Sequence, residues 1–334
     1  MKTIIAFPGL GIEQFELNRA AFTIPIGKGI TVYWYGIIIA LGIVLAFSYF
    51  LWRATKFERV REDDCYNLAL FTVPIAIVGA RFLYVITNPE KYDSLLDAIS
   101  IWNGGIAIYG AIIFGAITVV VFSKVKKLRV LRLLDAVSPA VMIGQIMGRW
   151  GNFFNGEAYG WSENIAKLPW RMQLEGAYRT EIIDGIKTKV SLDFVHPTFL
   201  YESLWNITGF IIINLLYKKK KFSGQIFLMY ITWYGLGRGF IELLRTDSLY
   251  VFETIKLNSV IGFVTFAAGV AGLIFLYIKS KKENSELENY KAAYVGVENE
   301  TVCETEVTEE TEETDKPAQS ENQENEVTEN GDNT

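Results

Sequence analysis

The chain has 334 residues, 51% of them hydrophobic, with a mean hydropathy of +0.23 and a formal charge of −5. That is too apolar for a soluble domain of this length and points to several membrane spans. The charge averages two unlike parts: Glu283–Thr334 holds 17 acidic residues against 2 lysines, while residues 1–282 hold 30 basic and 20 acidic ones. Two cysteines, Cys65 and Cys303, exclude a disulfide framework, and neither has catalytic partners around it in sequence.

Residues 1–29 are mixed in pattern and read as an external N-terminal arm lying on the membrane. Met1–Lys28 lacks an apolar run followed by a small-residue cleavage site, so insertion is expected to begin with the first span. About 20 apolar residues cross a hydrocarbon core. Seven stretches approach this: 30–52, 66–86, 104–123, 134–154, 198–217, 224–244 and 257–278. Formal charges concentrate in a subset of them. The second holds Arg81, the fourth Asp135 and Arg149, the fifth Glu202, and the sixth Arg238 and Glu242.

Lysine and arginine set the orientation. Arg53, Lys56, Arg59 and Arg61 follow the first span, Lys218–Lys221 follow the fifth, and Lys279, Lys281 and Lys282 follow the seventh. Segment 87–103 offers only Lys91 on the opposite side. The N-terminus is therefore read as outside and the C-terminus as cytoplasmic. Residues 155–197 become a small external head, with a hairpin over 180–190 turning at Asp184-Gly185. From Glu283 the composition is Glu-, Thr- and Asn-rich, and an acidic cytoplasmic tail without fixed structure is expected. The fold class is thus an α-helical polytopic membrane protein of about seven spans with a head and a tail.

The costly groups carry the chemistry. An arginine at membrane depth costs about 2.5–3.5 kcal/mol on insertion scales, so Arg81, Arg149 and Arg238 must face protein or a wet cavity. Arg238 has a structural partner available in Glu242 at i+4. Arg149 opens the run Gly148-Arg149-Trp150-Gly151-Asn152-Phe153-Phe154-Asn155-Gly156-Glu157-Ala158-Tyr159-Gly160. Its glycines suit a phosphate cradle of backbone N–H groups, and Gly235, Gly237 and Gly239 flank Arg238 similarly. Close helix packing is the other reading, because Gly144-x-x-x-Gly148 and Gly235-x-x-x-Gly239 both fit a small-residue motif. His196, the sole histidine, sits beside Tyr201 and Glu202 and is expected to orient loops around the site. One histidine and two scattered cysteines give no metal site, and no P-loop or dinucleotide fingerprint is present.

Together these motifs resemble the bacterial prolipoprotein diacylglyceryl transferase family over roughly residues 25–260. The specific signature is Gly148-Arg149-x-Gly151-Asn152-Phe153-x-Asn155-Gly156-Glu157. Trp34-Tyr35-Gly36, Gly79-Ala80-Arg81, Trp102-x-Gly104-Gly105, His196-Pro197-x-x-Leu200-Tyr201-Glu202 and Tyr234-Gly235-x-x-Arg238 with Glu242 and Arg245 follow in matching order. The resemblance implies transfer of a diacylglyceryl group from phosphatidylglycerol to the lipobox cysteine of a preprolipoprotein, releasing glycerol phosphate. It implies the bacterial cytoplasmic membrane, no metal or organic cofactor, and no nucleic acid. It puts essential arginines at Arg149 and Arg238 and lipid-contacting groups at Tyr35, Asn152, Gly160 and Tyr234. The substrate-binding set is completed by Arg81, Gly104, Gly105, Asn155, Glu157, His196, Tyr201, Glu202, Glu242 and Arg245.

One position departs from the family. A histidine commonly follows Gly-Gly-x-x-x, and here that position is Tyr109. A phenol, with pKa about 10 against about 6.5 for imidazole, is about 5 kcal/mol worse as a neutral-pH base. The substrate thiol, near 8.5, needs only about 2 kcal/mol to ionise at pH 7, so stabilising the departing phosphate is the larger demand. Arg149 and Arg238 are expected to do that, with Tyr109 either donating to the phosphate or accepting the thiol proton. An acyltransferase or phospholipase would need a histidine–carboxylate pair or an activated serine. A transporter would be expected to show an internal repeat, and a relative that only binds the lipid is the third alternative.

Overall fold

A computed structural model describes residues 2–25, 29–92, 94–100, 104–183, 186–248, 250–251 and 255–309, with side chains described as far as residue 284. Residues 1–278 form one compact unit and 279–334 a second. Eight α-helices are described: α1 (Trp34–Lys56), α2 (Glu62–Thr87), α3 (Leu95–Ile99), α4 (Ile108–Val125), α5 (Val130–Asn155), α6 (Thr198–Tyr217), α7 (Gln225–Leu244) and α8 (Leu257–Glu309). Six of them, α1, α2, α4, α5, α6 and the Leu257–Asn284 part of α8, are long and apolar enough to cross a membrane. Helix α7 has the length but carries Tyr230, Tyr234, Arg238, Glu242 and three glycines, and it falls outside that set.

The bundle is apolar on its outside. Val44, Leu70, Phe71, Ile112, Leu215 and Phe275 are all more than half exposed, as lipid-facing side chains should be. Inside, α1 packs on α5, α2 on α4, and α5 on both α6 and α7. The third span begins later than the composition suggests. Gly104 and Gly105 adopt φ of +81° and +80° in a loop, and α4 starts only at Ile108.

The first described residues form strands. β1 (Lys2–Phe7) pairs antiparallel with β2 (Ile12–Asn18) and with β5 (Gln173–Leu174), which belongs to the segment read as the head. Ile5 is buried with Met172, Leu174, Val195 and Phe199, and burying these apolar side chains is what draws residues 2–18 onto 172–199. β3 (Ala20–Ile24) and β4 (Ile30–Tyr33) form a separate hairpin leading into α1. β6 (Tyr178–Ile183) and β7 (Ile186–Ser191) pair as the sequence suggests, with Asp184 and Gly185 outside the described residues. A short ladder of β8 (Tyr250–Val251) and β9 (Ile255–Lys256) joins α7 to α8. Helix α8 extends to Glu309, past Glu283, where loss of structure is expected from composition; residues 310–334 lie outside the described residues.

At one end of the bundle the loops rich in lysine and arginine converge. Lys220 Nζ reaches Glu58 and lies 3.2 Å from Asp135 Oδ2. Asp135, 0% exposed, accepts from the backbone N–H groups of Gly224 (2.8 Å) and Phe227 (3.0 Å), capping the start of α7. Arg53 lies 4.2 Å from the Tyr217 ring centroid and 4.5 Å from that of Trp52, and donates to Tyr49 at 2.7 Å. Breaking such a buried pair leaves an uncompensated charge. Asp135→Leu is expected to cost about 3–5 kcal/mol and lower the thermal midpoint in detergent by several degrees, with the exposed Lys56→Ala unchanged in the same scan.

Candidate functional site

Two helical stripes face each other at the other end. On α7, Tyr230, Tyr234, Arg238 and Glu242 recur every four residues and so share one face. On α5, Gln145 and Arg149 stand in the same relation. Gln145 Nε2 donates to the Tyr230 hydroxyl at 2.9 Å, and the Tyr230 and Tyr234 rings stack at 5.8 Å. From α6, Glu202 enters between the stripes.

Glu202 is 5% exposed and meets three guanidinium groups. Arg149 Nε lies 2.9 Å from Oε2, Arg245 Nη1 3.4 Å from Oε1, and Arg238 Nη1 3.6 Å from Oε1. Glu242, 0% exposed, lies 2.7 Å from Arg238 Nη2 and 3.8 Å from Arg245 Nε. Arg245 also forks onto Asp247 at 2.9 and 2.7 Å. Burial acts to raise the Asp247 carboxyl, but the Arg245 hydrogen bonds and charge outweigh it and hold that carboxyl below its ordinary value. Lys256 Nζ closes the C-terminal end of α7, donating to the carbonyls of Leu243 (2.9 Å) and Arg245 (2.6 Å).

The cluster holds unused donors. Arg238 Nη1 is buried with no hydrogen-bond partner among the described residues, since 3.6 Å to Glu202 is too long for one. Arg149 uses Nε on Glu202 and Nη1 on Asn152 Oδ1 (3.2 Å), and no described residue pairs with its Nη2. A buried guanidinium N–H without an acceptor is costly, and an anionic oxygen arriving between the two stripes would satisfy it.

The end of α5 contributes side chains rather than backbone. Asn152 Nδ2 and Asn155 Nδ2 both donate to Glu157 Oε1, at 2.9 and 3.2 Å. The glycine cradle expected from sequence is not what forms. Gly156 takes φ +63° as the helix cap, and its N–H bonds the Phe153 carbonyl at 3.0 Å. Gly160 gives its N–H to the His196 carbonyl at 3.1 Å, and a Cβ there would meet the Leu244 carbonyl at 2.8 Å. Gly151 makes room for the Tyr35 ring, which a Cβ would meet at 2.9 Å. The packing reading divides between the two motifs. Gly235 and Gly239 abut α8 at Phe266, Gly262 and Phe263, whereas Gly144 has nothing within 4 Å.

Other expected site residues separate by role. Arg81 is committed to carbonyls: Nε to Ala98 (2.7 Å), Nη2 to Asp97 (2.9 Å) and Nη1 to Gly104 and to Gly105 (2.9 Å). It clamps the loop before α4 and makes no described contact with the arginine–glutamate cluster. Trp102 lies outside the described residues. His196 Nε2 is 2.8 Å from Ser162 Oγ and its Nδ1 is 3.1 Å from the Tyr201 hydroxyl, which accepts from Trp170 at 2.7 Å. Burial lowers the imidazole below its ordinary pKa and favours a neutral ring, in keeping with a loop-orienting role. Tyr109 does join the cluster, donating to Asn258 on α8. Gln145, Tyr230, Asp247, Lys256 and Asn258 escaped the sequence reading. A glutamine in the middle of an apolar span was the one available signal.

The model of the family described as prolipoprotein diacylglyceryl transferase matches residues 21–275. A phosphatidylglycerol–prolipoprotein diacylglyceryl transferase of Finegoldia magna is 41% identical over 269 residues, covering 80% of this chain and 97% of its own. The enzyme of that name from Lysinibacillus sphaericus is 39% identical over 281 residues, covering 82% and 97%. That from Clostridioides difficile is 36% identical over 271 residues, covering 81% and 100%.

The glycines differ in what they accommodate, and their alanine variants should differ accordingly. Gly160→Ala sets a Cβ against backbone and is expected to cost about 1–3 kcal/mol by overpacking. Gly144→Ala enters open space in a helix interior and should gain about 0.5–1 kcal/mol. Thermal unfolding of the two purified variants in detergent checks both signs.

Proposed function

The chain belongs to the prolipoprotein diacylglyceryl transferase family, and we propose that the cluster around Glu202 is the place where it passes the diacylglyceryl group of phosphatidylglycerol to a prolipoprotein cysteine. It is a bacterial membrane transferase, with phosphatidylglycerol as donor and a prolipoprotein as acceptor. The observation that carries the site reading is the buried, unpartnered Nη1 of Arg238 beside Arg149, two guanidinium groups with donors to spare.

In this reading the cysteine, as thiolate, attacks the glyceryl methylene carbon that bears the phosphate oxygen. A C–S bond forms, the C–O bond breaks, and the electron pair leaves with glycerol phosphate. Arg149 and Arg238 stabilise the charge that gathers on the leaving phosphate, with Asn152 holding Arg149 in place. Glu202 and Glu242 keep the guanidinium groups apart and aimed before the lipid arrives. Tyr35 lies over Gly151 at the edge of the α5 stripe and Tyr234 on the facing one, where each can contact the lipid. Tyr201, through His196, and Arg81, through the Gly104–Gly105 loop, act as supports.

The topology proposed with it has seven spans, α7 being the one whose inward face is polar. The N-terminus and residues 155–197 lie outside, and the C-terminus lies in the cytoplasm. Its support is the basic loops gathered around Glu58 and Asp135, at the end of the helices away from Arg149.

Purified protein in phosphatidylglycerol vesicles, given a lipobox peptide, is expected to yield a thioether-linked diacylglyceryl peptide by mass spectrometry. The same peptide with serine in place of cysteine should yield none. Arg149→Ala and Arg238→Ala should each lower kcat by about 10²–10³. Near-wild-type turnover in both variants would sink the assignment.

A further inference from the structure

Asn258, in the first turn of α8, lies between two groups from different helices. Its Oδ1 accepts a hydrogen bond from the Tyr109 hydroxyl of α4, and its Nδ2 donates to Glu242 Oε1 of α7 at 2.9 Å. The other oxygen of Glu242 lies 2.7 Å from Arg238 Nη2. A carboxylate oxygen is an acceptor, and Asn258 Nδ2 is the donor to it. That fixes the direction of the whole chain of contacts. The Asn258 amide must turn its NH₂ toward Glu242, because the flipped amide would set oxygen against oxygen at 2.9 Å with no proton between them. Its carbonyl oxygen then faces Tyr109, and a carbonyl can only accept. Tyr109 must give its one proton to Asn258, and its oxygen is left with lone pairs and nothing to donate.

We propose that Asn258 is a positioning residue that fixes Tyr109 as a hydrogen-bond acceptor for the incoming thiol and prevents it from donating to the phosphate. The inference rests on the reading of this site as the place of diacylglyceryl transfer, and it separates the two roles that the sequence leaves open for Tyr109. The S–H group docks against the phenol oxygen, which aligns the sulfur; its proton then passes to water, and the thiolate attacks. The phosphate is left to Arg149 and Arg238. The direction of the tyrosine proton is set from Arg238, through Glu242 and Asn258, so the nucleophile side and the leaving-group side of the site are organised by one chain of contacts.

A double-mutant cycle over Asn258→Leu and Tyr109→Phe tests this in phosphatidylglycerol vesicles with the cysteine peptide. Each single variant is expected to lower kcat about tenfold or more, with KM for phosphatidylglycerol within about twofold. The double variant should fall within about threefold of the worse single one, because the two residues act as a unit. Effects that multiply, or an Asn258→Leu enzyme within about twofold of wild type, overturn the proposal. Asn258→Asp keeps the shape and answers the case in which the leucine variant does not fold. An ionised carboxylate can only accept, so Tyr109 still donates to it and its own oxygen still faces the thiol. Adding Tyr109→Phe to Asn258→Asp should therefore lower kcat about tenfold, as it does in wild type. A loss of less than about twofold on that addition overturns the proposal. A wild-type enzyme that forms no thioether at all would overturn the functional reading itself.

Discussion

Glu202 is the group on which the upper part of this structure depends. One carboxylate, supplied by α6, is shared by guanidinium groups from α5, α7 and the segment just after α7. Without it three cations would face one another in a region that excludes water, where like charges are costly. With it, α5, α6 and α7 are tied at one level, and the arginines hold fixed positions. Glu242 repeats the device one layer over, joining Arg238 to Arg245 and, through Asn258, to α8 and α4. Most of the helices are thereby registered by two buried carboxylates, and the aliphatic packing between them has no need to specify that register alone.

The same geometry gives a reason for the proposed anion recognition to fall to arginine. The Gly148–Gly160 run lies at the C-terminal end of α5, where the exposed carbonyls and the helix dipole favour cations. A phosphate cradle of backbone N–H groups belongs at a helix N-terminus. The amides of Gly156 and Gly160 are accordingly taken up by a helix cap and by pairing with His196. Arg149 lies six residues before that end, outside the last turn, and is held by Glu202 and Asn152. A glutamate such as Glu157 at the same end is unfavourable alone and is held by Asn152 and Asn155 instead.

What the sequence discloses, and what it hides, follows from how each feature is encoded. Six of the spans are legible because twenty apolar residues are a local signal. Arg149, Arg238, Glu202 and Glu242 are legible because charge at membrane depth is costly wherever it falls in the chain. Glycine is ambiguous. Gly235 admits the α8 backbone, Gly151 a tyrosine ring and Gly144 nothing, and no pattern in the sequence tells these apart. The pairing of β1 with β5 joins residues more than 160 positions apart and cannot be read from either segment. Arg81 looks like Arg149 in sequence, yet its acceptors are backbone carbonyls, which every residue possesses. Asn258 carries no charge and sits at the start of an unremarkable apolar span, so only its neighbours reveal it.

A thiol needs little help to ionise, and a phosphate needs little help to leave if its charge is met. The difficulty is to hold both requirements in one small space without the two interfering. A tyrosine free to rotate its proton would bond the phosphate, the stronger acceptor, and would be lost to the thiol. The hydrogen bonds from Tyr109 to Asn258 and from Asn258 to Glu242 remove that freedom, because the amide must turn its NH₂ toward the carboxylate and its carbonyl toward the phenol. In the proposed site, cations then line the leaving-group side and an acceptor faces the nucleophile side, an asymmetry that suits a displacement at carbon and that needs no substrate to establish it.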